Sequence, residues 1–380
     1  MKVLIAPDSF KGSSDALTVA HAMQNGILKV DSKSETVILP MADGGEGTMI
    51  NLVQATNGTV VTANSVDPLG RQMESKYGIS GDGKTAIIEL ATSSGIDLLN
   101  AEELNPLKTT TYGTGMLIKD ALERNIKHFI ICLGGSATND AGVGLLQALG
   151  FRFLDKNGLD INLGGQYIKD IVTIDDSNVM SLMKEANFEI ACDVTNPLIG
   201  TNGASYIFGP QKGASVEVVK ILDNAIEQFA NIIEQQKNLS IHQIEGAGAA
   251  GGTAGSMLAF LNANLKRGIE LVIDFVELNE MLKQENFDLI ITGEGKIDGQ
   301  TAGGKVISGM CQKAHEYGIP IIALGGSVEG NLSELYNQGL TAAYSITNGP
   351  MNLEEAMQNS SCLIEQQTEQ IFRTIKMINK

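Results

Sequence analysis

Two carboxylates and three glycines share the stretch "LPMADGGEGT" (39–48), where Asp43 and Glu46 stand among Gly44, Gly45 and Gly47. Glycine lets a backbone N–H approach an oxyanion with no Cβ in the way, and a helix that follows adds a favourable dipole for phosphate. Carboxylates beside such a loop would repel that anion unless a divalent cation stood between them. Magnesium makes this link, binding through one or two carboxylates, waters and phosphate oxygens. The pattern therefore predicts phosphate at the glycines, with an acid that holds the metal or takes a proton from an acceptor.

Four more loops follow the same design. "APDSFKGS" (6–13) offers Asp8, Ser9, Lys11 and Ser13, and "LGGSATNDAG" (133–142) offers Gly134, Gly135, Ser136, Thr138, Asn139 and Asp140. "CDVTNPLIG" (192–200) offers Asp193, Thr195 and Asn196, and "TGEGKIDGQTAGGK" (292–305) offers Glu294, Lys296, Asp298 and Lys305. One Gly-rich loop after a strand is most often a tight connection with a helix cap. Five loops with acids, hydroxyls or lysines beside their glycines point to a site.

Other chemistries fit less well. Gly299 to Lys305 satisfies GxxxxGK, but Val306 replaces the Ser/Thr that would hold magnesium, and the preceding apolar run ends at Thr292, too early for a P-loop. "GAGAAG" (246–251) satisfies GxGxxG after the poor strand "IHQIE" and reads as glycines that pack a helix closely. His21, His128, His242 and His315 are scattered outside these loops, which disfavours histidine catalysis and a Ser-His-Asp hydrolase. Cys132 and Cys192 read as packing thiols.

The elements that must position these loops alternate in type. Short apolar runs recur at 3–6, 37–39, 86–90, 129–133, 188–191, 288–292, 320–324 and 342–346, as strands buried on both faces do. Helical patterns lie between them at 15–30, 116–124, 216–236, 301–317 and 353–378, with Ser215 placed as an N-cap. This predicts an α/β protein with mostly parallel sheets. The segment from about Val66 to Lys84, with the turn-like Asp67-Pro-Leu-Gly70 followed by an alternation suited to a hairpin, reads as the entry into a second domain. The expected division is a discontinuous domain of residues 1–65 and 285–380, with an α/β domain of 66–284 inserted.

Composition sets the outer limits. The 380 residues carry 27 basic and 44 acidic side chains, a net charge of −17, which argues against nucleic acid or an anionic membrane as partner. Four dispersed cysteines suggest reduced thiols and no zinc site. The short apolar run in "MKVLIAPDSF" predicts no export signal, and no stretch suits a membrane span, so the expected location is the cytoplasm.

Eight ordered motifs then carry a resemblance over essentially the whole chain: "APDSFKGS", "PMADGGEGT", "LGGSATNDAGVG", "CDVTNPLIGTNGAS", "FGPQKGA", "GAGAAGGTAGSMLAFL", "KRGIELVID" and "TGEGKIDGQTAGGK". Together they closely resemble the bacterial type 1 glycerate kinase family. The resemblance implies an ATP-dependent kinase of D-glycerate that uses Mg2+, with a Rossmann-like domain and a second α/β domain enclosing an active-site cleft. It implies 2-phosphoglycerate as product, with 3-phosphoglycerate or another small hydroxy acid as the alternatives, and leaves monomer and dimer both open. Two positions depart from the family pattern, which has arginine where Lys296 stands and glycine where Ala141 stands.

Phosphoryl transfer needs alignment, neutralised phosphate charge and a carboxylate that can accept a proton. Asp43 or Asp193 is expected as base or metal carboxylate, and Lys11 and Lys212 as partners of phosphate or the glycerate carboxylate. Glu294 and Asp298 are expected to shape the metal site. Ser136, Asn139 and the Gly134–Gly135 amides are expected to cradle an anionic end, and Asp8, Ser9, Gly44, Gly45, Asp140, Lys296 and Lys305 complete the expected binding set. A sensor that has lost turnover and an NAD-dependent dehydrogenase built on "GAGAAG" are the competing classes.

Overall fold

Val3, Leu4 and Ile5 have no exposed surface, as a parallel strand covered on both faces requires. They form the first strand of a computed structural model that describes residues 1–378. In chain order the strands are β1 (Lys2–Ile5), β2 (Glu35–Ile38), β3 (Thr59–Val66), β4 (Gln72–Ile79), β5 (Thr85–Glu89), β6 (His128–Cys132), β7 (Arg152–Leu154), β8 (Thr173–Asp175), β9 (Asn187–Ala191), β10 (Asn264–Lys266), β11 (Leu289–Ile297), β12 (Ile321–Val328) and β13 (Ala342–Ser345). The protein is α/β, and its contacts divide it into two units.

The first unit takes residues 1–43, 50–56 and 268 onward. Its sheet has the order β13-β12-β11-β1-β2, with every pair parallel. The helix Ala16–Val30 begins at Asp15, whose side chain accepts a hydrogen bond from the Thr18 amide (2.7 Å), and buries Val19, Met23 and Ile27. It lies against the C-terminal helix Ser360–Ile378, which adds Ile364, Ile371 and Phe372 to the same core. Contact is closest at Gly26, where a Cβ would lie 2.5 Å from the Glu365 carbonyl oxygen.

The second unit takes residues 44–49 and 57–267. Its main sheet has the order β10-β9-β6-β5-β4-β3, parallel from β10 to β5 and antiparallel beyond. The expected turn joins β3 to β4 in a hairpin that begins at Thr59, before the segment expected to form one, and is closed by Asp67, whose carboxylate accepts the amides of Leu69 and Arg71, each at 2.9 Å. Phe129 of β6 pairs with Phe188 of β9, and their rings stack with centroids 4.7 Å apart. The helix Val216–Lys237 is N-capped by Ser215, as its sequence predicts, and brings Phe229 against Phe153.

Three local expectations need correction. β11 runs on to Ile297 rather than stopping at Thr292, because Glu294 and Lys296 pair with Gly325 and Ser327 of β12. The helix expected from Thr301 begins at Val306, since Gly304 adopts φ +105° just before it. The run 353–378 is two helices, Leu353–Gln358 and Ser360–Ile378, parted where the Asn359 side-chain amide donates to the Glu355 carbonyl (2.8 Å). Among the described residues no helix is long and apolar enough to cross a membrane.

Candidate active site

Strand order in the first sheet reverses between β1, which leads to β2, and β11, which leads to β12 and β13. Open α/β sheets bind ligands beyond the carboxyl ends of strands at such a switch point. Asp8 follows β1, Asp43 follows β2, and Glu294 lies in the part of β11 that extends past its pairing with β1. The Thr292 hydroxyl donates to the Ala6 carbonyl (2.8 Å) and the Asp8 amide to the Gly293 carbonyl (2.9 Å), which keeps the first loop beside β11. The Met41 amide donates to the Pro7 carbonyl (2.9 Å), and the buried Asn51 side chain donates to the Met41 carbonyl (2.7 Å), anchoring the approach to Asp43.

The charge of Asp43 reaches both Asp8 and Glu294. Burial pushes the Asp8 carboxyl up to about 7, the negative charges of Asp43 and Glu294 add to this, and the Ser9 amide at 2.6 Å opposes it. Glu294, only 7% exposed, is also raised by burial, with Asp43 and Asp298 adding, while the Thr301 hydroxyl (2.6 Å) and Lys305 oppose. Asp298 stays below the ordinary carboxylate range, first because the Gln300 amide donates to it (2.9 Å) and then because Lys296 is near. Lys296 itself pairs with Glu329 at 2.9 Å and Asp298 at 3.6 Å. Lys11 and Lys305 are exposed, Lys305 at the start of the helix Val306–Tyr317.

Among the described residues no group of three or more His, Cys, Asp or Glu side chains forms a ready cage for a metal ion. Magnesium does not require one, since it keeps waters and shares phosphate oxygens. Hard oxygen donors set where burial first, and then the charges of Asp43 and Glu294, lift Asp8 to about 7 fit a divalent cation.

In the second unit the loops beyond β5, β6 and β9 carry the polar groups. A Cβ on Gly134 would lie 3.7 Å from the Gly45 Cα, so the two glycine loops pass at close range. The Gly135 carbonyl accepts the Ile96 amide (2.8 Å), while both Gly134 and Gly135 remain exposed. Lys212 is 1% exposed and donates to Ser136 Oγ and the Thr138 carbonyl, both at 2.7 Å. Burial pulls its ammonium down to about 7, with Asp140 opposing.

Asp140 and Asn139 are fully enclosed. The Asp140 carboxylate accepts the amide and hydroxyl of Thr111 (2.8 and 2.9 Å) and the Gly142 amide (3.1 Å), and Asn139 donates to Ser205 Oγ (3.0 Å). These side chains hold the loop's shape. Asp193 is exposed just past β9. In "GAGAAG", Ala250 (φ +51°) and Gly251 (φ +66°) turn left-handed, and a Cβ on Gly251 would meet the Thr138 carbonyl oxygen at 2.1 Å. Close packing, not a dinucleotide, explains that motif.

One functional candidate escaped sequence reading. Glu89, the last residue of β5, is 8% exposed and accepts the Met49 amide at 2.8 Å. Burial raises its carboxyl first, and the amides of Met49 and Gly47 oppose that rise, so this acid grips the end of the "DGGEGT" loop. The available signal was an acid inside an apolar strand, a group that burial leaves in need of a partner.

Comparison with known proteins gives a consistent result. The sequence pattern described as "Glycerate kinase family" matches residues 3–376. A glycerate 2-kinase of Escherichia coli (strain K12) is 43% identical over 360 residues, covering 95% of this chain and 94% of the relative. A glycerate kinase of Bacillus subtilis (strain 168) is 42% identical over 377 residues, covering 99% and 98%. A crystal structure from Salmonella typhimurium LT2, which carries the provisional name glycerate kinase 2, superposes with a TM-score of 0.92 at 41% identity, covering 100% of this chain and 99% of that one.

Proposed function

The chain belongs to the glycerate kinase family, and on that premise we propose that it transfers the γ-phosphoryl group of ATP directly to the C2 hydroxyl of D-glycerate, giving 2-phosphoglycerate and ADP with Mg2+. The observation that carries this reading is the gathering of Asp8, Asp43 and Glu294 at the switch point of an all-parallel sheet. Support for C2 comes from the 43% identity to a relative named glycerate 2-kinase. The cytoplasm, where four free cysteines stay reduced, is the proposed location.

Asp43 and Glu294, with Asp8 beside them, would hold magnesium, and Asp298 and Lys296 would keep the loop after β11 in place. Bound Mg2+ supplies neutralisation of charge on the transferring phosphoryl group. Lys11 and Lys305, both exposed, add positive charge for the phosphates, and the amides leading into the helix Val306–Tyr317 suit the same anion. Asp193, or Asp43 where Glu294 and Asp8 hold the metal without it, would take the proton from the acceptor hydroxyl as the new P–O bond forms and the bond to ADP breaks.

ADP release tests the reading. With Mg-ATP the wild-type chain should release ADP only when D-glycerate is added. Asp43→Asn should lower kcat by about 10²-fold and raise the Mg2+ concentration needed for half-maximal rate. Wild-type turnover and an unchanged Mg2+ requirement in this variant would remove Asp43 from the site.

A further inference from the structure

We propose that Lys212 acts through Ser136: the buried ammonium fixes the Ser136 hydroxyl as an outward hydrogen-bond donor, and this hydroxyl, with the exposed Gly134–Gly135 backbone, receives the carboxylate of the three-carbon acid. The inference rests on the glycerate kinase reading and assigns the acceptor's anionic end to the second unit.

Lys212 does not reach solvent, being 1% exposed, so direct contact with a ligand is not its role. In its charged form Lys212 has three donors and no acceptor, so at 2.7 Å Ser136 Oγ accepts from Lys212 Nζ. The single hydroxyl proton of Ser136 then points away from the lysine and is available to an anion. A second Lys212 bond, to the Thr138 carbonyl at 2.7 Å, fixes the ammonium in that position. The Gly95–Ser136 bridge and the Ala137 amide bond to the Ser94 carbonyl (2.9 Å) hold the loop on its other side. Ser136 is itself only 8% exposed, so positive charge is kept dry and passed through one hydroxyl to the exposed Gly134–Gly135 turn beside it. Burial lowers the ammonium's proton affinity and Asp140 raises it, so an anion arriving at Ser136 strengthens the charged form.

The anion is a carboxylate rather than a phosphate for a local reason. The next helix after Ser136, Val143–Ala148, is only six residues long, and the Gly142 and Gly144 amides at its start already donate to the Asp140 carboxylate, at 3.1 and 3.3 Å. In the first unit, by contrast, the loop ending at Lys305 enters the helix Val306–Tyr317 directly.

Steady-state kinetics of the full chain, each substrate varied in turn, decide the matter for wild type, Ser136→Ala, Lys212→Met and the double variant. Each single change should raise the D-glycerate KM by about ten-fold while the ATP KM stays within about two-fold, and Lys212→Met should add less than about two-fold once Ser136 is alanine. Ser136→Thr, which keeps the hydroxyl, should restore most of the affinity. Additive effects, or an unchanged D-glycerate KM in Ser136→Ala, would overturn the proposal. A rise in the ATP KM instead would give the loop to the nucleotide and overturn it too. If Lys212→Met does not fold, the Ser136 pair still decides between these outcomes. Wild-type protein with no D-glycerate-dependent turnover would fail the parent reading before any variant is compared.

Discussion

Lys212 is the residue whose protonation the fold alters most simply. Its ammonium falls from an ordinary lysine value of 10.5 to about 7, with burial as the leading cause. Between those values the unfolded chain binds a proton that the folded chain has released, so Lys212 makes stability rise with pH across that window; below about 7 both states are protonated and its contribution is flat and least favourable. Lys212→Met should lose this rise. Urea unfolding of both proteins from pH 7 to 10 should show the wild-type advantage growing with pH, and parallel curves would contradict the assignment. Sequence reading expected Lys212 beside an anion, but its burial is not legible there, because it depends on Ser136, 76 positions away. Glu89 stood in plain view in its apolar run, but its partner Met49 lies 40 positions away and no local rule joins them. Ala141 was legible only as a departure from the family pattern, and the structure gives it meaning: it sits at φ +51°, 1% exposed. The left-handed backbone costs an alanine about 1–2 kcal/mol, and burying its methyl returns about 0.8 kcal/mol.

At the scale of elements, the apolar runs were reliable guides because parallel strands covered on both faces show near-continuous hydrophobicity. Strand ends were less legible where function intrudes. β11 continues through Gly293-Glu294-Gly295-Lys296, a polar and glycine-rich stretch that β12 pairs with nonetheless. Pairing carries Glu294 beyond the end of β1 and brings the strand's end to Ile297, close before Gly299, while Val306 still replaces the hydroxyl that a P-loop places after its lysine. The contact between the helices Ala16–Val30 and Ser360–Ile378 offers a test of element packing. Gly26→Ala would place a methyl 2.5 Å from the Glu365 oxygen and 2.7 Å from the Thr368 Cβ, neither of which can move without its helix. Overpacking of this kind costs about 1–3 kcal/mol and outweighs the ~1 kcal/mol that alanine gains over glycine in a helix. We expect a net loss of up to about 2 kcal/mol in urea unfolding, and greater stability would show that the helices separate freely.

For the molecule as a whole, a net charge of −17 leaves no general attraction for anionic substrates, so each must be held by local groups. The first unit presents Asp8, Asp43 and Glu294 at a switch point with Lys11 and Lys305 nearby in sequence; the second presents Ser136 over a buried lysine. Fold class was legible from the alternation of strands and helices, and family from eight motifs. The site was legible as loops, because glycine beside acid is an unusual pairing, but which of those side chains are enclosed and which are presented depended on tertiary packing: Asp140 proved enclosed and Asp193 exposed. The central claim, transfer of phosphate to C2 of D-glycerate, is tested most directly by a phosphorus NMR spectrum of the protein with Mg-ATP and D-glycerate. A new phosphomonoester signal split by one proton, appearing with ADP, is the predicted result. A signal split by the two C3 protons would contradict the assignment to C2, and no glycerate-dependent phosphoester at all would contradict the account.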